Sequence, residues 1–220
     1  MTAPDDASGS AAAGHRQRCA QLLARYRAAG DSVRLSKETS NLFRDRAGHG
    51  RALDVRDFRH VLAVDPAAGA IDVEGMAPYD AIVDATLAHG LMPAVVPQLR
   101  SITIGGAVSG VGIEASSFRY GLVHDSVAEL EILTGAGEIV TARPDNEHAE
   151  LFFGFPNSYG TLGYALRVRT LAVETRPYVR LRHAARTRTP PPSSPTWRRA
   201  ARPARTISST APRSRRTSCT

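Results

Sequence analysis

Four glycines, Gly105, Gly106, Gly110 and Gly112, fall within the stretch TIGGAVSGVGIEASS, residues 103–117. Isoleucine and valine frame them, and Glu114 is the one charged side chain in the run. Glycine tolerates positive φ and lets a ligand approach the backbone. Amide N–H groups presented at the start of a helical turn make a cradle for linked phosphates. The chemistry expected here is the binding of a diphosphate-bearing molecule by main-chain donors. A tight turn without a ligand would have the same composition, so the surroundings must decide. The Walker pattern fails, because no Lys followed by Ser or Thr comes after the last glycine. The dinucleotide fingerprint fails too, since 122–133 lacks the expected helix–strand–acid sequel. There is no G-x-S-x-G elbow and no setting for a cysteine nucleophile.

The elements that must position this run are legible from period and punctuation. His15–Ala29 reads as an amphipathic helix, with Cys19, Leu22, Leu23 and Tyr26 on one face and Gly30 after it. Short strands are expected at 33–35, 53–55, 60–64 and 70–73, the last two joined as a hairpin through Asp65, Pro66 and Gly69. Ser36–Phe43 is polar and turn-like. A helix is expected over 78–89, with Pro78 near its first turn and Ile82, Val83 and Leu87 apolar. A strand at 91–96 leads into the glycine run. After it come strands at 127–133 and 138–141 around Gly135-Ala136-Gly137, a short helix at 146–153 and a last strand at 165–172. βαβ-like pieces mix with hairpins, so the fold class is α+β.

Charge is unevenly spread over the 220 residues. The formal net charge is +7, yet nine of the 28 basic residues and none of the 21 acidic ones lie in 184–220. The chain up to 183 is therefore mildly acidic. From Ala184 onward the composition is almost entirely Arg, Pro, Ser, Thr and Ala, with Trp197 and Ile207 the large apolar residues. Such a segment buries too little surface to offset its ordering entropy. We expect a disordered basic tail over 184–220, of the composition an out-of-frame reading of a GC-rich gene would produce. The tail has no aromatic–basic alternation, so no specific nucleic-acid partner is expected. Residues 1–14 are expected to be a disordered lead-in before a domain spanning 15–183. The two cysteines, Cys19 and Cys219, do not suggest a disulfide framework, and a cytoplasmic location fits. No apolar run reaches the ~18–20 residues needed to span a bilayer.

Three stretches carry a family resemblance: AVVPQLRSITIGGAVSGVGIEASSFRYGLVHDSV, LEILTGAGEIVTARPDNEHAELFFGFPNSYGTLGYALRV and RPYVRLRH. In order and spacing they resemble the flavin domain of FAD-linked oxidoreductases of the vanillyl-alcohol oxidase and p-cresol methylhydroxylase (PCMH) type, with the delta-24 sterol reductases and their bacterial relatives the nearest group. The resemblance implies a two-lobed α+β FAD-binding domain holding FAD extended, its pyrophosphate on the glycine-rich loop. It places cofactor-binding residues at Thr103, Ile104, Gly105, Gly106, Ala107, Val108, Ser109, Gly110, Val111, Gly112, Ile113, Glu114 and Ala115. A second family segment, in SYGTLG, adds Gly160, Thr161, Leu162 and Gly163. Ser36–Asn41 aligns with an earlier loop near the cofactor. The implied activity is hydride transfer through FAD, either reduction of a C=C bond with NADPH as electron donor or oxidation of a small-molecule substrate, sterol-like or lipidic in the first case. The family's membrane-anchoring apolar segment has no counterpart here. Nor does its substrate (cap) domain, so a catalytically inactive flavin-binding fragment is the alternative.

No catalytic residue is assigned. Glu114 could orient the flavin or a water, or be satisfied by backbone N–H groups. Ser116, Ser117 and Tyr120 could donate to flavin oxygens or cap and pack the turn. His124 could approach the flavin ring or be a hydrogen-bonded loop histidine. His60, His89 and His148 show no metal-like clustering, and no metal is expected. No histidine occupies the glycine-rich setting used for covalent tethering, so FAD is expected to be non-covalent.

Overall fold

The computed structural model describes residues 5–29, 33–37, 50–176 and 178, all within the unit Met1–Val179. The expected turn at 38–43, most of the 36–41 loop and the tail 184–220 lie outside the described residues.

Helix α1 runs Asp5–Arg27, followed by β1 (Val33–Ser36) and β2 (Arg51–Asp54), which pair in parallel. Residues 5–14 were expected to be a disordered lead-in; instead they form the first turns of α1. The reason is composition: the lead-in is rich in alanine, the best helix former, and it extends a helix already docked through later residues. The 61–74 hairpin forms as expected, β3 (Val61–Asp65) antiparallel to β4 (Ala70–Glu74), with Asp65 Oδ1 accepting the Ala68 N–H at 2.9 Å. Helix α2 covers Tyr79–Leu87 behind Pro78. Ile82 on α2 is buried, but Leu87 is exposed and Thr86 takes a core position. Thr86 can do so because its hydroxyl donates to the Ile82 and Val83 carbonyls at 3.0 and 3.1 Å.

The strand expected at 91–96 shortens to β5 (Leu91–Pro93), and α3 (Ile104–Ser109) and α4 (Ser117–Tyr120) follow. A 3₁₀ turn at Val123–Ser126 leads into β6 (Val127–Leu133), which hairpins to β7 (Ile139–Ala142). Helix α5 is Ala149–Gly154, and the long β8 is Tyr164–Glu174. The main sheet runs β3-β4-β8-β6-β7, with β5 added to the end of β8, and its pairings are antiparallel. This is the α+β class expected.

Alternation along the central strands gives the sheet two different faces. Ile71 and Val73 of β4, Leu130 and Ile132 of β6 and Val168 of β8 are buried on the side that packs Ile82, Ile104, Val108 and Phe155. Asp72, Glu74, Glu129, Glu131, Arg167 and Arg169 take the other side. There β8's arginines stand opposite acids on both neighbours: Arg167 is in register with Glu74 and Glu131, and Arg169 with Asp72 and Glu129. Opposite charges directly across strands reinforce the pairing. A second hydrophobic cluster joins Cys19 and Leu22 of α1 to Leu53, Val55, Phe58, Leu133 and Leu166.

Candidate functional site

The glycine run folds as the short helix α3 and the loop behind it, on the apolar side of the sheet. The expectation of a row of free N–H groups needs correction. Ile104 and Gly105 donate to the carbonyls of Ala77 and Gly75 at 3.1 and 2.9 Å. Ala107 donates to Thr103, Gly110 to Gly106 and Gly112 to Ala107, each at 2.9 Å. In the first turn of α3 this leaves the Gly106 N–H, for which no partner exists among the described residues. Thr103, Ile104, Gly105, Ala107 and Val108 are buried, while Gly106 and the loop from Ser109 to Ala115 reach the surface.

Close packing accounts for three of the four glycines. A Cβ on Gly105 would sit 2.8 Å from the Gly75 carbonyl oxygen, one on Gly110 2.9 Å from the Gly106 carbonyl oxygen, and one on Gly112 2.6 Å from Val123 Cγ2. The signal read as phosphate chemistry is therefore partly a signal of backbone against backbone. The two uses are compatible, because the Gly106 N–H has no protein partner among the described residues.

The structure brings the two expected segments together. The Tyr159 N–H donates to the Ser109 carbonyl at 3.0 Å, and Tyr159 Cε1 lies 3.8 Å from where a Gly110 Cβ would be. Gly160, Thr161, Leu162 and Gly163 thus follow directly from a contact with the end of α3. Gly163 adopts φ 129°, and a Cβ there would lie 2.3 Å from the Leu133 oxygen. Val111 (φ 58°) and Tyr159 (φ 50°) are two of three non-glycine residues at positive φ among the described ones. For a β-branched residue such as Val111 or a bulky one such as Tyr159 this is a real strain, and the two fall in the two segments that meet.

Buried polar atoms without partners lie beside this junction. Among the described residues these are Ser158 Oγ and His124 Nδ1. Ser158 immediately precedes Tyr159. His124 follows Val123, whose N–H donates to the Gly112 carbonyl at 3.0 Å. The expectation of a hydrogen-bonded His124 is not met among the described residues: its Nε2 is 3.6 Å from Asp125 Oδ1, beyond hydrogen-bond distance, and its Nδ1 has no partner. An orphaned buried hydroxyl, an orphaned imidazole nitrogen and an unused N–H are each groups that an anionic or carbonyl-bearing ligand can satisfy. The residues present therefore fit the polar part of FAD. Ser158 was not among the residues singled out from sequence, although it opens the SYGTLG segment; His124 was weighed but not assigned.

The remaining candidates resolve as follows. Ser116 Oγ donates to the Ala94 carbonyl at 3.0 Å, and Ser117 Oγ accepts the Glu114 N–H at 2.9 Å, so both hold the turn. Tyr120 packs against the core with the Arg119 guanidinium 5.1 Å from its ring centre. Burial, and then the charge of Glu114, push the Tyr79 phenol above its usual range, keeping it neutral beneath the loop. Ser36, the last residue of β1, and Lys37 are the described part of the 36–41 match. Among the described residues no helix is long and apolar enough to cross a membrane.

Residues 7–143 match the family model for the FAD binding domain. Delta(24)-sterol reductase of Arabidopsis thaliana is 36% identical over 129 residues, covering 59% of this chain and 23% of that protein. Cytokinin dehydrogenase 1 of Arabidopsis thaliana is 30% identical over 155 residues, covering 64% of this chain and 27% of that protein. The chain thus spans about a quarter of the length of these curated relatives. Among solved structures, 6-hydroxy-D-nicotine oxidase from Arthrobacter nicotinovorans superposes with a TM-score of 0.62 at 20% identity, covering 71% of this chain and 35% of that one. At that identity the likeness concerns the fold.

Proposed function

This chain belongs to the FAD binding domain family, the cofactor-binding part of flavin-dependent oxidoreductases, and from that premise we propose how it holds FAD and what it serves. The cofactor lies along Thr103–Ala115 and Gly160–Gly163, on the surface where these segments meet. The observation that carries this reading is the Tyr159–Ser109 hydrogen bond, which joins two segments 50 positions apart beside buried polar atoms that have no partner of their own. The Gly106 N–H and the Ser158 hydroxyl donate to phosphate oxygens. His124 Nδ1 offers a further contact. The strained turns at Val111 and Tyr159 hold these donors in place before the ligand arrives, which lowers the ordering cost of binding. When bound, the flavin supplies hydride transfer. Binding is non-covalent.

The parent enzyme reduces a C=C bond of a sterol-like or lipidic small molecule with NADPH as electron donor, and it acts in the cytoplasm. The similarity to sterol reductase supports this reading. The similarity to cytokinin dehydrogenase supports the opposite direction, oxidation of substrate by the flavin, as the second reading. Purified protein should take up FAD in a saturable way and release all of it on acid denaturation. Anaerobic NADPH should then bleach the flavin absorbance if the reductase reading holds. No FAD uptake would overturn the site. Uptake without bleaching by NADPH would support the alternative, a flavin-binding fragment without turnover.

A further inference from the structure

The charged face of the sheet carries a cluster unrelated to the glycine run. His15 and Cys19 stand one turn apart on α1 and so share a face. Glu131 rises from β6 to meet them. His15 Nε2 is 2.9 Å from Glu131 Oε1 and 3.4 Å from Cys19 Sγ, and Cys19 Sγ is 3.3 Å from the same oxygen. One nitrogen, one sulfur and one oxygen thus converge in a triangle, with His15 and Cys19 buried and Glu131 half-buried.

We propose that His15, Cys19 and Glu131 form a binding site for Zn²⁺ or a similar borderline-soft divalent ion, tying α1 to the sheet. Three observations support it. The first is spacing. A tetrahedral zinc with Zn–S of about 2.3 Å and Zn–N or Zn–O of about 2.0–2.1 Å sets its ligand atoms roughly 3.3–3.6 Å apart. The sulfur edges of the triangle, 3.4 and 3.3 Å, lie about 0.2–0.3 Å short of the roughly 3.6 Å such edges need, and the His15–Glu131 edge of 2.9 Å needs to open by about 0.4 Å.

The second is the surrounding shell. A metal-binding histidine characteristically gives its other ring N–H to a carboxylate. His15 Nδ1 lies 2.8 Å from Glu74 Oε1, and Glu74 is wholly buried. Glu74 is itself fixed by Arg18 Nε at 2.8 Å, by the His60 N–H at 3.0 Å and by His60 Nδ1 at 2.7 Å. This leaves Nε2 as the nitrogen aimed at Cys19 and Glu131. The other Glu131 oxygen faces Arg167 Nε at 3.6 Å, so Oε1 is the free ligand.

The third is donor chemistry. A thiolate, an imidazole and a single carboxylate suit zinc and disfavour magnesium or calcium, which prefer all-oxygen sets. Ligation removes the thiol proton, and the resulting thiolate with the Glu131 carboxylate balances the charge of the dication. Three protein ligands leave a fourth position for water.

The test uses the full chain without a histidine tag, with Cys219→Ser to remove the second thiol. Titration with Co²⁺ should produce a sulfur-to-metal charge-transfer band in the near ultraviolet and tetrahedral d–d bands saturating at one equivalent. Zn²⁺ should displace it, and Mg²⁺ should not. Cys19→Ala should abolish the charge-transfer band. Glu74→Gln should keep it while weakening Zn²⁺ roughly 10–100-fold. Far-ultraviolet circular dichroism checks that each variant is folded. If Cys19→Ala proves unfolded, the Co²⁺ spectrum of the parent decides alone. Absence of that band, or zinc binding undiminished in a folded Cys19→Ala protein, overturns the site.

Discussion

At the residue scale, one hydroxyl separates the needs of the cofactor from those of the fold. Ser158 is buried and its Oγ has no protein partner. An unsatisfied buried polar group costs stability, and a hydrogen bond to a charged group is worth about 1.5–3 kcal/mol. Ser158→Ala should therefore leave the FAD-free protein as stable or slightly more stable, while weakening FAD by roughly 10–100-fold, as read by urea midpoints and by flavin fluorescence titration. Equal FAD affinity in both proteins would remove Ser158 from the site. Gly75 poses a purely steric question. A Cβ there would lie 1.9 Å from the Ala165 oxygen, whereas one on Gly135 meets nothing within 4 Å. Gly75→Ala should lower stability by about 1–3 kcal/mol through forced backbone movement, and Gly135→Ala should stay within about 0.5 kcal/mol of the parent. Chemical denaturation of the pair checks both.

At the scale of elements, β4, β8 and β6 are joined by charge as well as by backbone. Arg167 bonds Asp72 at 2.6 Å and also reaches Glu129, which Arg143 contacts from the β7 side. Burial alone would raise the Glu129 carboxyl. The hydrogen bonds from Arg167 and Arg143 outweigh it and hold the group below its usual range. A depressed carboxyl contributes stability above its unfolded value and loses it as the pH falls, because the unfolded chain takes the proton first. Stability should thus decline from pH 6 toward pH 3, and Glu129→Gln should flatten that decline. Urea midpoints across this range measure it; identical slopes in the two proteins would show that the network is not what titrates.

At the scale of the whole molecule, apolar side chains are left uncovered near the proposed cofactor surface. Ile113 is 72% exposed, Phe118 77% and Phe153 67%. Large exposed apolar groups promote association when they form a patch. The chain also spans only about a quarter of its curated relatives' length. Phe118→Ser combined with Ile113→Thr should reduce self-association at a given concentration in size-exclusion chromatography. The melting temperature should change by only a degree or two, since neither side chain belongs to the core. A fall of many degrees would show that these residues pack.

What the sequence settled by itself was local. Alternation made the 61–74 and 127–142 hairpins readable, because a period of two with turn residues between has few other solutions. The glycine run announced a close backbone approach, and its company of motifs announced FAD. The reach of α1 back to Asp5 was misread because a small-residue lead-in resembles a flexible one until it is seen continuing a docked helix. Only the tertiary structure decided which N–H groups of the glycine run were already taken, since Gly75 and Ala77 compete for them from a distant loop. The same holds for the meeting of Ser109 with Tyr159 and for the convergence of His15, Cys19, Glu74 and Glu131. Contacts between residues tens of positions apart leave no periodic trace along the chain; they exist because strand register and helix docking place particular atoms together in space.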